Sequence, residues 1–137
     1  MQPNRDKLIK RIKQEEGYSE HAFWDNKQWS WGYGTATDGP GNTTRDNAER
    51  ELEESLDDAI AFVVRYFAGH DLTETRADAL TDMVYNMGAP TFLKFKRMNA
   101  AIDRGDWIAA AEEARQSQWY QQVGARAKRI VGELRNG

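Results

Sequence analysis

An α+β fold, a small β-hairpin lobe set into a mostly helical chain, is what this sequence predicts. Three observations carry the prediction. Apolar residues recur at helical spacing near the start and through the second half; an aromatic-rich segment after Gly17 switches to a strand-like pattern; and the stretch from Thr44 to Phe67 reads as one uninterrupted amphipathic helix.

The opening helix is expected from about Asn4 to Glu15, with Leu8, Ile9 and Ile12 on one face, Asn4 as cap and Gly17 as the stop. His21-Ala22-Phe23-Trp24-Asp25, a polar turn at Asn26-Lys27-Gln28, and Trp29-Ser30-Trp31-Gly32-Tyr33-Gly34 read as a β-hairpin. Thr35 to Asn42, with Gly39-Pro40-Gly41, is expected as a loop. Thr44 then caps a long helix with Ala48, Leu52, Leu56, Ile60, Val63, Val64 and Phe67 inward and an acidic opposite face. After Gly69 a helix opens near Thr73 and carries Ala77, Leu80, Met83, Val84 and Met87 inward up to Gly88. Phe92, Phe95, Met98 and Ile102 mark a further helix that Gly105 stops. Asp106 caps another bearing Ile108, Ala111 and Ala114, and the last, about Ala125 to Arg135, buries Ala127, Ile130, Val131 and Leu134. The expected organisation is a single domain over residues 1–137. It has a hairpin lobe at about 16–43, a linking helix at about 45–67, and a helical lobe at about 70–137 with the helix of residues 4–15 packed on it. Two lobes joined by one helix leave a cleft between them.

Composition narrows the function. With 137 residues, 39% hydrophobic, the chain can bury roughly two-thirds of its unfolded surface without help. There is no Cys, which excludes disulfides, thiolate metal sites and thiol nucleophiles, and His21 and His70 alone do not make a histidine metal site; no cofactor is expected. No basic-then-apolar opening and no apolar run of about 18 residues is present, so a chain without signal peptide or stable membrane insertion is expected. Net charge is −3, unevenly spread: residues 44–93 hold four basic against eleven acidic side chains, and residues from Lys94 onward nine basic against five acidic. A basic C-terminal part suits a polyanion such as a bacterial wall or nucleic acid, or is simply a solvated helix surface.

The chemistry-bearing residues cluster early. Glu16 ends a helix, where the macrodipole disfavours a further anion and favours a protonated acid. Asp25 begins a polar turn, and Ser30 supplies a hydroxyl close by. Two carboxylates in unlike surroundings are what an acid and a base need to divide their work. Each residue alone has an ordinary structural explanation: an exposed helix end, a turn Asp, a strand Ser. Trp24, Trp29 and Trp31 offer flat rings for stacking on sugars, whereas Trp107, Trp119 and Tyr120 sit where aromatic residues fill core.

Taken together, Glu16-Gly17, Asp25, Ser30 and Gly32-Tyr33-Gly34 resemble the catalytic Glu, Asp and Thr and the Gly-x-Gly strand of phage-type lysozymes, the glycoside hydrolases of the T-even phage lysozyme type. Thr44 through Phe67 is similar to the inter-lobe helix of that family and Leu80 through Gly88 to its buried central helix. Ser117-Gln118-Trp119-Tyr120 and Arg126-Ala127-Lys128-Arg129 are similar to its Ser-x-Trp-Tyr and Arg-Ala-x-Arg segments. The resemblance implies a lysozyme-like fold and inverting hydrolysis of the β-1,4 bond between N-acetylmuramic acid and N-acetylglucosamine in peptidoglycan. Glu16 would be the general acid, and Asp25 with Ser30 would hold the attacking water. Arg126 matches an arginine that in the family reaches the catalytic Glu; Trp31, Tyr33, Asn86 and Gln118 would bind or support substrate. Peptidoglycan is the implied partner and nucleic acid is not; a two-lobed monomer suffices. The implied setting is the host cytoplasm until lysis, then the periplasm and wall, reached with a holin-type partner. The alternative is a wall-binding module that has lost turnover. Here four residues separate Asp25 from Ser30, where the family usually places five before a Thr. Thr35 stands where a His is frequent, and the segment up to Thr44 is short.

Overall fold

The computed structural model describes residues 2–25 and 27–137; Met1 and Asn26, the latter part of the expected turn, lie outside them. Eight helices and one three-stranded antiparallel sheet form among the described residues, in two compact units: residues 5–58, and residues 59–137 with the few that precede Arg5.

In the first unit α1 runs Arg5–Glu16 and buries Leu8 and Ile12 one turn apart. It ends at Gly17, whose φ of 65° is the left-handed conformation a side chain resists, while the Gly17 amide closes on the Lys13 carbonyl at 3.0 Å. By its contacts α1 belongs to this unit, whereas the sequence reading groups it with the helical lobe. Lys13 Nζ lies 2.9 Å from Glu49, and Arg5 bridges Glu53 and Asp57 at 3.0 and 2.7 Å.

β1 (Ser19–Trp24), β2 (Trp29–Gly32) and β3 (Thr35–Thr37) form the sheet in the order β1-β2-β3. The third strand differs from the expected loop. Gly32 and Gly34 both adopt positive φ, 61° and 85°, so Gly32-Tyr33-Gly34 reverses the chain where a continuing strand is expected, and Thr35 to Thr37 pairs back on β2. The segment after it also returns to the sheet. The Ala22 amide donates to Gly41 O and the Thr43 amide to Glu20 O, both at 2.8 Å, so the outer edge of β1 is partly covered.

α2 (Arg45–Tyr66) begins at Thr44, whose hydroxyl accepts from the Asn47 amide at 3.2 Å as expected of a cap. Its buried stripe is Ala48, Leu52, Leu56, Ala59, Val63 and Phe67. Ala59 takes the place expected for Ile60, because steps of four, three and four follow the 3.6-residue turn, and Val64 is exposed.

The second unit is built around α3 (Glu74–Met87), capped by Thr73 and buried on all sides of its middle turns from Ala77 to Val84. The helix expected from Phe92 to Ile102 is broken into α4 (Ala89–Leu93) and α5 (Lys96–Asp103). The buried Asn99 amide donates to the carbonyls of Phe92 and Phe95 at 3.2 and 2.9 Å, which also accept the Phe95 and Asn99 backbone amides, so it ties the two helices together at the break, and the new direction buries both Phe92 and Met98. α6 (Trp107–Arg115) is capped by Asp106 as expected, but Ile108 is 62% exposed. The inward stripe is Ala110, Ala111 and Ala114, small residues on which α5 and α8 pack closely. A short α7 (Gln118–Val123), capped by Ser117, precedes α8 (Ala125–Asn136), which buries Ala127, Ile130 and Leu134. No helix among the described residues is long and apolar enough to cross a membrane.

Candidate active site

The first unit holds all three residues singled out for catalysis. Asp25 follows β1, and Trp24 pairs with Trp29 and Phe23 with Ser30, so a four-residue turn is all that separates the strands. The carboxylate itself completes that turn. Its Oδ1 accepts the amides of Lys27 and Gln28 at 3.1 and 3.0 Å, the Asp25 amide donates to Gln28 O at 3.0 Å, and Oδ2 accepts the Ser30 hydroxyl at 2.7 Å. The shortened spacing is thus absorbed by the turn, and the buried Ser30 hydroxyl still meets the carboxylate.

The electrostatics follow from these contacts. Burial acts to raise the Asp25 carboxyl, but the Ser30 hydroxyl, the Gln28 and Lys27 amides and the Lys27 charge outweigh it and hold the carboxyl below the ordinary carboxylate range. Asp25 is therefore ionised at neutral pH. A carboxylate has about four acceptor positions, and among the described residues three are filled, which leaves one for a water molecule, with lone pairs of the Ser30 oxygen beside it.

Glu16 is the last residue of α1 and is half-buried. Its carboxyl lies against the bare Cα of Gly34: a Cβ built there would sit 2.6 Å from Oε1 and 2.8 Å from Cδ. Gly34 is required twice over, by its φ of 85° and by the carboxyl that occupies the space of a side chain. The Gly-x-Gly pattern marks both glycines, but the contact between Gly34 and Glu16 is visible only in the structure. Gly32 has its own reason, since a Cβ there would meet the Ala48 Cβ at 2.9 Å.

The supporting residues are dispersed. Tyr33 is buried; its hydroxyl accepts from Arg45 at 3.3 Å, its ring centroid lies 5.5 Å from that of Tyr18, and Lys13 Nζ sits 5.6 Å from its centre. Trp31 is half-buried on β2. Three belong to the second unit. Arg126 on α8 is buried and binds the buried Asp82 through Nε at 3.0 Å and Nη2 at 2.6 Å. Asn86 accepts the Trp119 indole N–H at 2.8 Å, and Gln118 is exposed at the start of α7.

The order of these residues along the chain matches a known family: the model for phage lysozyme fits residues 13–134. The chain belongs to the phage lysozyme family. It is 32% identical over 103 residues, 69% of its length, to the pre-baseplate central spike protein Gp5 of Enterobacteria phage T4, covering 17% of that protein. It is 34% identical over 68 residues to the probable T4-type lysozyme 2 of Dictyostelium discoideum, half of this chain and 40% of that one. To the probable T4-type lysozyme 1 of the same organism it is 31% identical over 67 residues, 49% of this chain and 39% of that one. The matched part of the chain thus spans well under half the length of each of these relatives.

Proposed function

We propose that the protein is a muramidase: it hydrolyses the β-1,4 bond between N-acetylmuramic acid and N-acetylglucosamine with inversion, Glu16 acting as general acid and Asp25 holding the attacking water with Ser30. The observation that carries this reading is the Asp25–Ser30 hydrogen bond at 2.7 Å, kept despite a turn one residue shorter than the family usually has. A water in the remaining acceptor position would donate one proton to Asp25 and one to Ser30 Oγ, leaving a lone pair directed at the anomeric carbon. Because its donors keep Asp25 weakly basic, its main contribution is to orient that water and to stabilise positive charge developing on the sugar ring. Proton transfer to the leaving oxygen falls to Glu16.

Peptidoglycan is the partner this reading requires. Host-cell lysis, a holin-type protein for passage from the cytoplasm to the wall, and roles for Arg126, Trp31, Tyr33, Asn86 and Gln118 in supporting the acid or the substrate follow from the family resemblance. The alternative, a wall-binding module without turnover, drew its motive from the short Asp25 to Ser30 spacing, and the retained hydrogen bond weakens that motive. Release of reducing ends from purified peptidoglycan tests the proposal. Wild type is expected to release them and Glu16→Gln to be slower by about 10²–10⁴-fold. Equal rates, or none from either protein, would refute it.

A further inference from the structure

Arg45 opens α2 as an exposed side chain, yet its two contacts fall on the two segments that meet at the proposed acid. Nη1 donates to the Tyr33 hydroxyl at 3.3 Å, and the guanidinium lies over the half-buried Tyr18 ring, 4.2 Å from its centre. Tyr33 directly precedes Gly34, and Tyr18 follows Glu16 by two residues. One side chain therefore grips both segments, whose meeting point is the Glu16 carboxyl against the bare Cα of Gly34.

The turn needs such a grip. In Gly32-Tyr33-Gly34 both glycines have positive φ and neither has a side chain to pack, so Tyr33 is the only side-chain anchor of the reversal. That anchor is buried and held from three directions. Its ring meets Tyr18 at 5.5 Å with a 55° tilt, Lys13 on α1 places Nζ 5.6 Å from its centre while pairing with Glu49 at 2.9 Å, and Arg45 takes the hydroxyl. Lys13 stands three residues before Glu16 on α1, and Ala48, three residues after Arg45 on α2, lies where a Gly32 side chain would be. If Tyr33 loosens, both glycines regain other backbone states and the surface behind the Glu16 carboxyl moves with them.

We propose that Arg45 is a positioning residue for Glu16: acting through Tyr33 and Tyr18, it fixes the glycine turn against which the acid rests. Its effect falls on the chemical step and not on affinity, because an acid held off its line to the leaving oxygen still lets the glycan bind. The inference deepens the muramidase reading and rests on it for the role of Glu16.

Two readouts test it. The first is kinetic: kcat and KM on soluble, uncrosslinked peptidoglycan strands for wild type, Arg45→Met, Tyr33→Phe and the double variant. Arg50→Met, an exposed cation of the same helix 3.9 Å from Glu54, is the control. Arg45→Met is expected to lower kcat by about 3- to 10-fold, the scale of one cation–π contact and one hydrogen bond, with KM within about twofold and Arg50→Met at the wild-type rate. Tyr33→Phe keeps the ring and loses the hydroxyl, so in its background Arg45→Met should cost less than it does alone. Unchanged kcat in Arg45→Met overturns the inference, whatever happens to the unfolding midpoint. So does a rise in KM at constant kcat, which makes Arg45 a contact to the glycan, or losses that simply multiply in the double variant. The second readout needs no turnover. Exchange of the Gly17 amide, which closes α1 on the Lys13 carbonyl, should quicken by about 3- to 10-fold in Arg45→Met while the α3 amides keep their wild-type rates. Unaltered Gly17 exchange, or a quickening shared equally by α3, overturns the inference. If wild type releases no reducing ends while Gly17 exchange alone quickens, the muramidase reading fails and the Arg45 clamp stands. If wild type hydrolyses and Arg45→Met matches it, the clamp fails alone.

Discussion

Asp25 in the first unit and Asp82 in the second are the same side chain put to opposite uses. Asp82 is fully buried and faces the Arg126 guanidinium, so its charge is cancelled by a full opposite charge in a low-dielectric interior. Asp25 is held as firmly, but by neutral donors: one hydroxyl and two backbone amides. Those donors fix its position and keep it ionised without neutralising it. A carboxylate paired with a cation holds a fold together, whereas one held by dipoles keeps its negative charge available to water or to a developing cation.

The largest contrast is expected when each carboxylate is removed in turn. Asp82→Ala takes away the partner of a buried cation and should destabilise the protein by about 3–5 kcal/mol in denaturant unfolding. Asp25→Asn, which keeps one acceptor oxygen for the turn, should cost clearly less, about 1 kcal/mol, while peptidoglycan hydrolysis falls by roughly 10²-fold or more. If Asp25→Asn unfolded the protein as readily as Asp82→Ala, both aspartates would be structural.

Gly34 sharpens the comparison from the acid's side. Gly34→Ala forces a side chain into positive φ and into the Glu16 carboxyl, so a cost of about 1–2 kcal/mol is expected together with a loss of hydrolysis that Gly39→Ala, at a site with no neighbour within 4 Å, does not show. Equal activity of the two variants would mean that the position of Glu16 does not matter.

A smaller effect is expected at Ser30. Ser30→Ala removes one of three donors to Asp25, and a loss of about 1–2 kcal/mol of positioning, roughly tenfold in rate, follows from one hydrogen bond to a charged group. Ser30→Thr, which restores the hydroxyl with the family's usual methyl, should keep most of the rate if the buried site admits it. The pH dependence has a defined sign. Asp25 is depressed in the folded state, so it contributes stability above its unfolded value near 4, and that contribution is lost as pH falls through the lower folded value. In Ser30→Ala the acid limb of stability should move up in pH; a shift downward would contradict the assignment of the donor.

Much of this was legible in the sequence because helical patterning and caps are local. Thr44, Thr73 and Asp106 cap where their side chains predict, and Gly17 stops α1. What escaped depends on partners distant in sequence or on rare backbone states. Two positive-φ glycines turned an expected strand continuation into a reversal and made room for β3. At the break between α4 and α5 the Asn99 amide reads as an ordinary helix polar residue until its bonds to the Phe92 and Phe95 carbonyls are seen. Ile108 carried the helical period and yet faces solvent, because alanines fit the α5 and α8 surfaces more closely. At the candidate site the sequence named Glu16, Asp25 and Ser30, but the turn that reconciles the short spacing is made by the Asp25 carboxylate itself, and no spacing rule reveals that.

The stereochemistry of the first-formed product tests the central claim most directly. If Asp25 and Ser30 hold a water that attacks opposite the leaving group, proton NMR of freshly released reducing ends from peptidoglycan must show the α-anomer before mutarotation. Initial β-anomer would mean that a covalent or same-face route operates and that Asp25 does not hold the attacking water in the way its hydrogen bonds imply.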